Sequence, residues 1–245
     1  MAINISSKSQ TNELPDISAD RPGMATNPFI APSKKIQIET GFSYENDKRE
    51  NLFQETTLYN SALFRYGLNK NSEIRLQTDY AKVKTDSISI TGFNQLTVGT
   101  KLLISEQKSI LPKASFLLNL TLPCFGEKIF RPENLTPSFY LLMQNDITDK
   151  LSICYNIGIE YNGIITEPME FAAICFNYSI TNKFSGFIEN YNWFSNSSKP
   201  ENFIDCGFAY LLRKNIQLDL SGNMNLQDIE NYFMINFGVS WRITK

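Results

Sequence analysis

The last predicted strand, residues 232–242 (YFMINFGVSWR), carries a large apolar side chain at every second position. Successive side chains of a β-strand point to opposite faces, so one face of this strand is continuously apolar. A strand with lipid on one side and a wet interior on the other has this pattern. The alternation therefore predicts a transmembrane β-barrel. Its apolar series is Phe233, Ile235, Phe237, Val239 and Trp241.

The same alternation recurs along the chain. It predicts an all-β, antiparallel, up-and-down transmembrane β-barrel of about 12 strands over residues 34–245. Each segment is long enough to cross a bilayer at a tilt, which takes roughly 9 to 11 residues. The predicted strands are residues 34–45, 55–66, 73–82, 93–104, 111–122, 137–147, 151–162, 169–180, 183–194, 202–212, 215–224 and 230–242.

The links between these strands alternate in length. Links after the even-numbered strands are tight polar turns, such as residues 68–71 and 181–183, whereas most links after odd-numbered strands are longer, up to residues 123–136. Bacterial outer-membrane barrels have short periplasmic turns and longer extracellular loops. We therefore expect a bacterial outer-membrane location, with both ends of the chain on the periplasmic side.

The polar series of each strand is expected to face inward and the apolar series to face lipid. A soluble sandwich or lipocalin-like barrel would invert this arrangement, and the sequence alone leaves that alternative open. Aromatic residues near strand ends are expected to form girdles at the lipid–water interface, because their rings are apolar and their tips polar. They are Tyr44, Tyr59, Tyr66, Tyr80, Tyr155, Tyr161, Tyr178, Tyr191, Tyr210, Trp193 and Trp241.

Composition excludes several classes of function. The chain has no histidine, which removes Ser-His-Asp and Cys-His catalysis and the commonest ligand of zinc and copper. We expect no enzymatic activity, cofactor or metal. The net charge of -2 and the lack of a long basic run argue against nucleic acid as a partner. The four cysteines, Cys124, Cys154, Cys175 and Cys206, form no CxxC pair and are interpreted as small strand or loop residues, with a disulfide left open.

Several short motifs resemble one bacterial family. They are Asp-Arg-Pro at residues 20–22, Gln-Ile-Glu-Thr-Gly at 37–41, Arg-Tyr-Gly-Leu at 65–68 followed by Glu-Ile-Arg at 73–75, and Gly-Thr-Lys at 99–101. With these motifs the chain resembles the outer-membrane family described as "Putative MetA-pathway of phenol degradation". The resemblance implies an outer-membrane barrel with a transport role, and the family name suggests aromatic or other hydrophobic solutes. The chain departs from the family at two places. Position 23 is Gly where an acidic residue is common, and the sequence WRITK of residues 241–245 ends on Lys245 instead of on an aromatic residue.

The lumen of a 12-strand barrel is expected to be narrow, gated or plugged, since about 8 strands are filled by side chains and 16 or more leave an open channel. Inward charges sort unevenly, which suggests a transverse field that orients a polar solute; the alternative is that they pair with lumen neighbours. Glu73 and Asp79 lie on the basic side and weaken the field. The predicted lumen-lining residues are Arg65, Arg75, Lys101 and Lys113 on one wall and Glu160, Glu189, Asp205 and Asp219 on the other.

Residues 1–33 are polar, contain four prolines and show no periodicity. We expect an extended periplasmic N-terminal segment or a partial plug in which Arg21 meets an inward carboxylate such as Glu39. Residues 1–10 lack the features of a secretory signal. Either the sequence is that of the chain without its signal, or Met1 lies inside a longer precursor, and we favour the second.

The leading function is an outer-membrane channel for passive uptake of small solutes, aromatic or hydrophobic ones included. The alternative is a structural barrel that does not conduct, or a subunit of an envelope complex. The expected partners are outer-membrane lipid and a small-molecule solute, and the barrel is expected to be a monomer or a small homo-oligomer.

Overall fold

The computed structural model of the protein describes residues 14–49, 54–161, 163, 167–196 and 198–244. Most of these residues lie in twelve β-strands. No helix among the described residues is long and apolar enough to cross a membrane. The strands are β1 (Ile36–Asp47), β2 (Gln54–Asn69), β3 (Ser72–Thr85), β4 (Ser89–Ser105), β5 (Lys113–Leu122), β6 (Thr136–Asp146), β7 (Leu151–Glu160), β8 (Met169–Ser179), β9 (Phe184–Ser195), β10 (Ser198–Arg213), β11 (Ile216–Asn225) and β12 (Tyr232–Arg242).

The strands form one closed antiparallel barrel. Each strand pairs with its neighbours in sequence, and β1 pairs with β12 to complete the ring. At this seam Gln37 lies opposite Arg242, and Asp47 lies opposite Tyr232. Closure leaves no unpaired strand edge, which a barrel needs where no water can hydrogen-bond the backbone. The predicted fold class and strand number are confirmed.

Two links on the long-loop side are much shorter than the sequence predicts. β3 continues to Thr85 and β4 starts at Ser89, and the Thr85 N–H donates to the Ile88 carbonyl at 2.8 Å in the tight turn between them. Likewise β10 begins at Ser198, shortly after β9 ends at Ser195. The predicted β3 ends too early and the predicted β4 and β10 begin too late, because residues such as Thr85, Ser89 and Ser198 continue the backbone ladder without continuing the apolar alternation.

The apolar series faces outward. On β12, Phe233, Ile235 and Phe237 are 39–51% exposed, whereas Ser240 and Arg242 are almost fully buried. A soluble barrel would show the reverse, so the inverted alternative is excluded. An exterior covered with large apolar side chains is stable in contact with hydrocarbon, so the barrel is a transmembrane one.

The N-terminal segment, residues 14–35, enters the barrel and returns to the end where it entered. The Ile17 N–H donates to the Lys214 carbonyl at 2.8 Å, in the short turn between β10 and β11. At its other end the Lys34 N–H donates to the Gly67 carbonyl at 2.7 Å, near the end of β2. A Cβ at position 67 would collide with backbone atoms of Ala31 and Pro32, so this approach needs glycine.

Two of the aromatic residues assigned to the interface girdles face the lumen instead. Tyr191 is 3% exposed and belongs to an inward aromatic cluster that Trp193 packs against. Both share the parity of Glu189 on β9, which alternation alone could have assigned to the inside. Trp241, Tyr66 and others do lie exposed on the outer face.

Candidate functional site in the barrel lumen

Asp20 of the N-terminal segment is held by three cations of the barrel wall. Arg75 Nη1 donates to Asp20 Oδ2 at 2.5 Å, and Lys101 Nζ donates to Oδ1 at 2.9 Å. Arg65 Nη1 lies 3.3 Å from Oδ1. These side chains project inward from the neighbouring strands β2, β3 and β4 and are almost fully buried. Ionic hydrogen bonds of this kind are the stronger ones in proteins.

Two carboxylates of the wall complete this basic cluster. Arg65 donates to Glu73 Oε1 at 2.9 Å through Nε and to Glu39 Oε1 at 2.8 Å through Nη1. Arg75 also donates to Glu73, at 2.9 Å. The three cations therefore face three anions, Asp20 included, which offsets the cost of burying them. The structure thus brings three of the predicted basic residues together and pairs their charges.

Carbonyl groups of the segment are bound by the same cations. Arg65 donates to the Ser18 and Phe29 carbonyls at 3.1 and 2.8 Å, and Lys101 donates to the Asn27 carbonyl at 2.9 Å. Further along, the Ala31 N–H donates to Glu73 at 2.6 Å. The basic cluster therefore contacts the segment both where it enters the lumen and where it returns.

The fourth predicted basic residue, Lys113, lies apart from the cluster. Its Nζ donates to Glu106 Oε2 at 2.7 Å, and the Glu106 side chain is exposed. The same ammonium lies 4.8 Å from the centroid of the Phe29 ring. Lys113 thus belongs to the short-turn rim of the barrel.

The Arg21 side chain lies between β11 and β2. Its Nη2 lies 3.2 Å from Asp219 Oδ1, and Nη1 donates to Ser61 at 3.4 Å. The contact with Glu39 is made by the backbone, since the N–H groups of Asp20 and Arg21 donate to Glu39 Oε2 at 2.8 and 3.3 Å. The guanidinium lies against Gly41 and Gly238, where a Cβ would overlap it.

The remaining predicted acidic residues have no cationic partner among the described residues. Glu189 accepts the N–H groups of Met24 and Ala25 at 2.8 and 2.7 Å. Asp205 lies directly opposite Glu189 in the β9–β10 ladder, and its Oδ1 has no hydrogen-bond partner within the described chain. Glu160, half-buried at the end of β7, likewise forms no ion pair there. This wall of the described chain therefore carries acidic groups without cationic partners, and two of them, Glu189 and Asp205, face each other directly.

Two cavities lie on opposite sides of the N-terminal segment. The long-loop cavity, about 430 Å³, contains Glu160 and Trp193 and has Met24 and Thr26 at its floor. The short-turn cavity, about 230 Å³, is lined by Gln144, by the segment and by other polar groups of the wall. The segment thus separates the long-loop cavity from the short-turn cavity.

A row of aromatic rings crosses the wall of the long-loop cavity. Tyr140 packs edge-on against Phe171 with ring centroids 5.9 Å apart, and Phe171 lies 4.6 Å from Trp193. Gly158 stands between Tyr140 and Phe171 in the ladder, and a Cβ there would collide with the Tyr140 ring. Glycine therefore lets Tyr140 lean across β7 to meet its neighbour.

The aromatic row continues to the mouth of the barrel and ends on a cation. Tyr191 stacks on Phe203 at 4.8 Å, and Phe203 contacts Tyr232 at 5.1 Å. The Arg49 guanidinium lies 4.8 Å from the Tyr232 ring centroid. Hydrogen bonds to Asp47 raise the pKa of Arg49 further above its usual value, so this loop side chain stays charged.

The inward aromatic row was not predicted from the sequence. Phe203 precedes the predicted inward residue Asp205 by two positions, and Phe171 precedes Ala173 and Cys175 with the same parity. The alternation of each strand could have placed these rings in the lumen, but a large apolar ring on a membrane-spanning strand is expected to face lipid.

The cysteines and possible metal ligands add little chemistry. Cys154 and Cys175 are buried, unpaired and opposite each other in the β7–β8 ladder; Cys124 and Cys206 are exposed. Across the part of the chain that the structure describes, no group of three or more His, Cys, Asp or Glu side chains is arranged to hold a metal ion.

A closed 12-strand barrel with an apolar exterior and a charged, occupied lumen has the fold of outer-membrane channels and porins. The chain belongs to the family described as "Putative MetA-pathway of phenol degradation", whose model matches residues 19–243. No curated protein sequence matches it.

Several solved structures share the fold. An outer membrane channel from Pseudomonas putida F1 is similar over 91% of this chain and 99% of its own, with 11% identity and a TM-score of 0.74. The NanC porin matches 84% of this chain and 100% of its own at 9% identity and a TM-score of 0.59. The Pseudomonas putida toluene transporter TodX matches 88% and 91% at 9% identity and a TM-score of 0.50.

Proposed function

We propose that this protein is a passive channel of the bacterial outer membrane for small solutes. Support comes from the family, from the fold it shares with channels and porins, and from a lumen lined with charged and polar groups. We propose no enzymatic activity for this lumen.

The N-terminal segment is the gate in this proposal. The observation that carries it is the contact of Asp20 with three wall cations, between two cavities of about 430 and 230 Å³. The segment is bound by ionic and hydrogen bonds, whose polar groups water can solvate once the segment moves. Conduction requires the segment to leave this position, at least in part.

Aromatic and other hydrophobic solutes are the proposed cargo class. The family description names phenol degradation, and TodX is a toluene transporter. The row of inward rings from Tyr140 to Tyr232 supports this class, since it offers apolar contact along a polar route.

A barrel that does not conduct is the second candidate. It is favoured by the complete pairing of Arg65, Arg75 and Lys101, because a segment held this firmly could close the barrel permanently. Such a protein would serve as an anchor or as a subunit of an envelope complex.

Planar-bilayer recording separates the two candidates. We expect the full chain to give infrequent channel openings, and a variant lacking residues 1–30 to give sustained current of larger amplitude. Current that is equal in the two proteins would discard the gate. Silence in both proteins, with correct barrel folding, would favour the structural role.

A further inference from the structure

The long-loop cavity contains an acidic group that the protein leaves unmatched. Glu160 lies at the end of β7, and its neighbours in the ladder are the uncharged Ser138 on β6 and Met169 on β8. It forms no ion pair with any described residue. A carboxylate in a partly buried site without a cation is unfavourable unless water or a ligand compensates it.

Arg75 is the only cation among the described residues that line this cavity. It already donates to Asp20 at 2.5 Å and to Glu73 at 2.9 Å. The charge of Arg75 is therefore compensated within the basic cluster, and Glu160 is left without a cationic partner among the described residues of the cavity.

The wall beside Glu160 is aromatic. Tyr140, Phe171 and Trp193 line the same cavity and contact one another in a row. The faces of aromatic rings attract cations, and Trp does so most strongly. A carboxylate beside such rings is the combination that recognises quaternary ammonium groups.

The barrel binds a cation of its own in this way elsewhere. Arg49 lies 5.6 Å from the centroid of Phe203 and 4.8 Å from that of Tyr232, and it donates to Asp47 and Glu201 at 2.7 Å each. The aromatic row thus has a bound cation at the barrel mouth, and the long-loop cavity has the same two chemical elements without one.

We propose that the long-loop cavity binds small organic cations with an apolar body, such as quaternary ammonium compounds, between Glu160 and the rings of Tyr140, Phe171 and Trp193. This deepens the proposed channel function and rests on it, since the cavity is part of the route the solute takes. The cation neutralises Glu160, and its apolar groups contact the rings.

Intrinsic fluorescence provides the test, because the chain has two tryptophans and Trp241 faces lipid. In Trp241→Phe, purified whole in a maltoside detergent, Trp193 is the only reporter. Choline chloride is titrated at constant ionic strength, beside the uncharged analogue in which carbon replaces the quaternary nitrogen. We expect choline to give a saturable change and the analogue to bind about tenfold more weakly.

Glu160→Gln in the same background should weaken choline binding about tenfold and leave the uncharged analogue unaffected, since a charge-assisted contact is lost. Glu170→Gln is the matched control, because Glu170 lies exposed on the neighbouring strand β8. It should bind choline as the parent does. Equal affinity for choline and its analogue, equal choline affinity in Glu160→Gln and parent, or no choline binding at all would each overturn the site.

Binding in detergent needs no conduction, so the two proposals fail separately. A channel that conducts but does not bind choline loses only this site. A barrel that binds choline but stays silent in a bilayer loses the proposed function.

Discussion

Two parts of the barrel wall differ in how their inward charges are paired: strands β1 to β4, called here the basic half, and strands β7 to β10, the acidic half. On β1 to β4 the inward cations Arg65, Arg75 and Lys101 are paired with carboxylates of the wall and of the N-terminal segment. On β7 to β10 the inward carboxyl groups of Glu160, Glu189 and Asp205 have no cationic partner among the described residues, and aromatic rings lie on the same strands. The basic half binds the segment through ionic contacts, whereas the acidic half leaves unpaired carboxyl groups that a solute or water can contact.

This difference indicates which contacts hold the segment. In the acidic half, the Glu189 carboxyl group accepts hydrogen bonds from the backbone N–H groups of Met24 and Ala25 in the segment. The basic half adds full ionic bonds at Asp20. Coulomb attraction between opposite charges in a site with little water exceeds a hydrogen bond to a neutral donor, so Asp20 should dominate the binding of the segment.

Asp20→Asn gives the sharpest test of this comparison and the largest expected effect. Removing one partner from a buried ionic network costs about 3 kcal/mol, or about a hundredfold in the equilibrium that holds the segment. We expect the open probability of single channels to rise accordingly. Asp149→Asn, in the exposed turn after β6, is the control; an open probability for Asp20→Asn equal to that of this control would refute the dominant role of the basic half.

Asp205→Asn tests the opposite half. Asp205 forms no hydrogen bond with the segment through its free Oδ1, so the change should leave gating intact. In channels opened by Asp20→Asn, we expect the preference for cations over anions to fall roughly threefold, because one unpaired charge is lost from the pathway. Reversal potentials in a salt gradient measure this ratio. Glu230→Gln in the exposed β11–β12 loop should not change it, and an equal ratio in both variants would contradict unmatched charge on this half.

Gly238→Ala probes the ionic bond between Arg21 of the segment and Asp219 on β11. A Cβ at this position overlaps the Arg21 guanidinium and should displace it from Asp219, at a cost of about 1–2 kcal/mol. Amide exchange of residues 20–26, followed by mass spectrometry, should become faster. Gly222→Ala is the matched control, because its nearest atom, the Met234 carbonyl oxygen, is 3.4 Å from the new Cβ. Equal exchange in the two variants would show that Arg21 does not anchor the segment.

Lys113→Met should have the smallest effect. Its partner Glu106 is exposed, so the ion pair contributes little, and the contact with Phe29 adds about 0.5 kcal/mol. Open probability should stay within about threefold of the parent. A larger change would place Lys113 within the gating contacts and extend the basic half to the rim.

The sequence predicted the barrel fold and the orientation of its strands, but only part of the arrangement inside the lumen. Alternation on β12 sufficed to orient the strands, because the lipid face requires apolar groups at every second position. It could not reveal that Asp20 joins Arg65, Arg75 and Lys101, since those contacts depend on the path of a segment without periodicity. The inward turn of Phe171 and Phe203 was also missed, because a ring in the lumen has the same apolar character as a ring in lipid.

The most direct test of the central claim is a reversible tether between the segment and the wall. Cys154 Sγ lies 3.4 Å from the Thr26 carbonyl oxygen, so position 26 is a neighbour of Cys154; in Thr26→Cys, with Cys124, Cys175 and Cys206 changed to Ser, mass spectrometry identifies the protein in which oxidation has joined residues 26 and 154. Recorded in the Asp20→Asn background, oxidation should abolish the current and a reductant should restore it. With Cys154 also changed to Ser, oxidation should have no effect. Sustained current through a barrel with the tether formed would contradict the account, since the segment would then lie in the lumen without closing it.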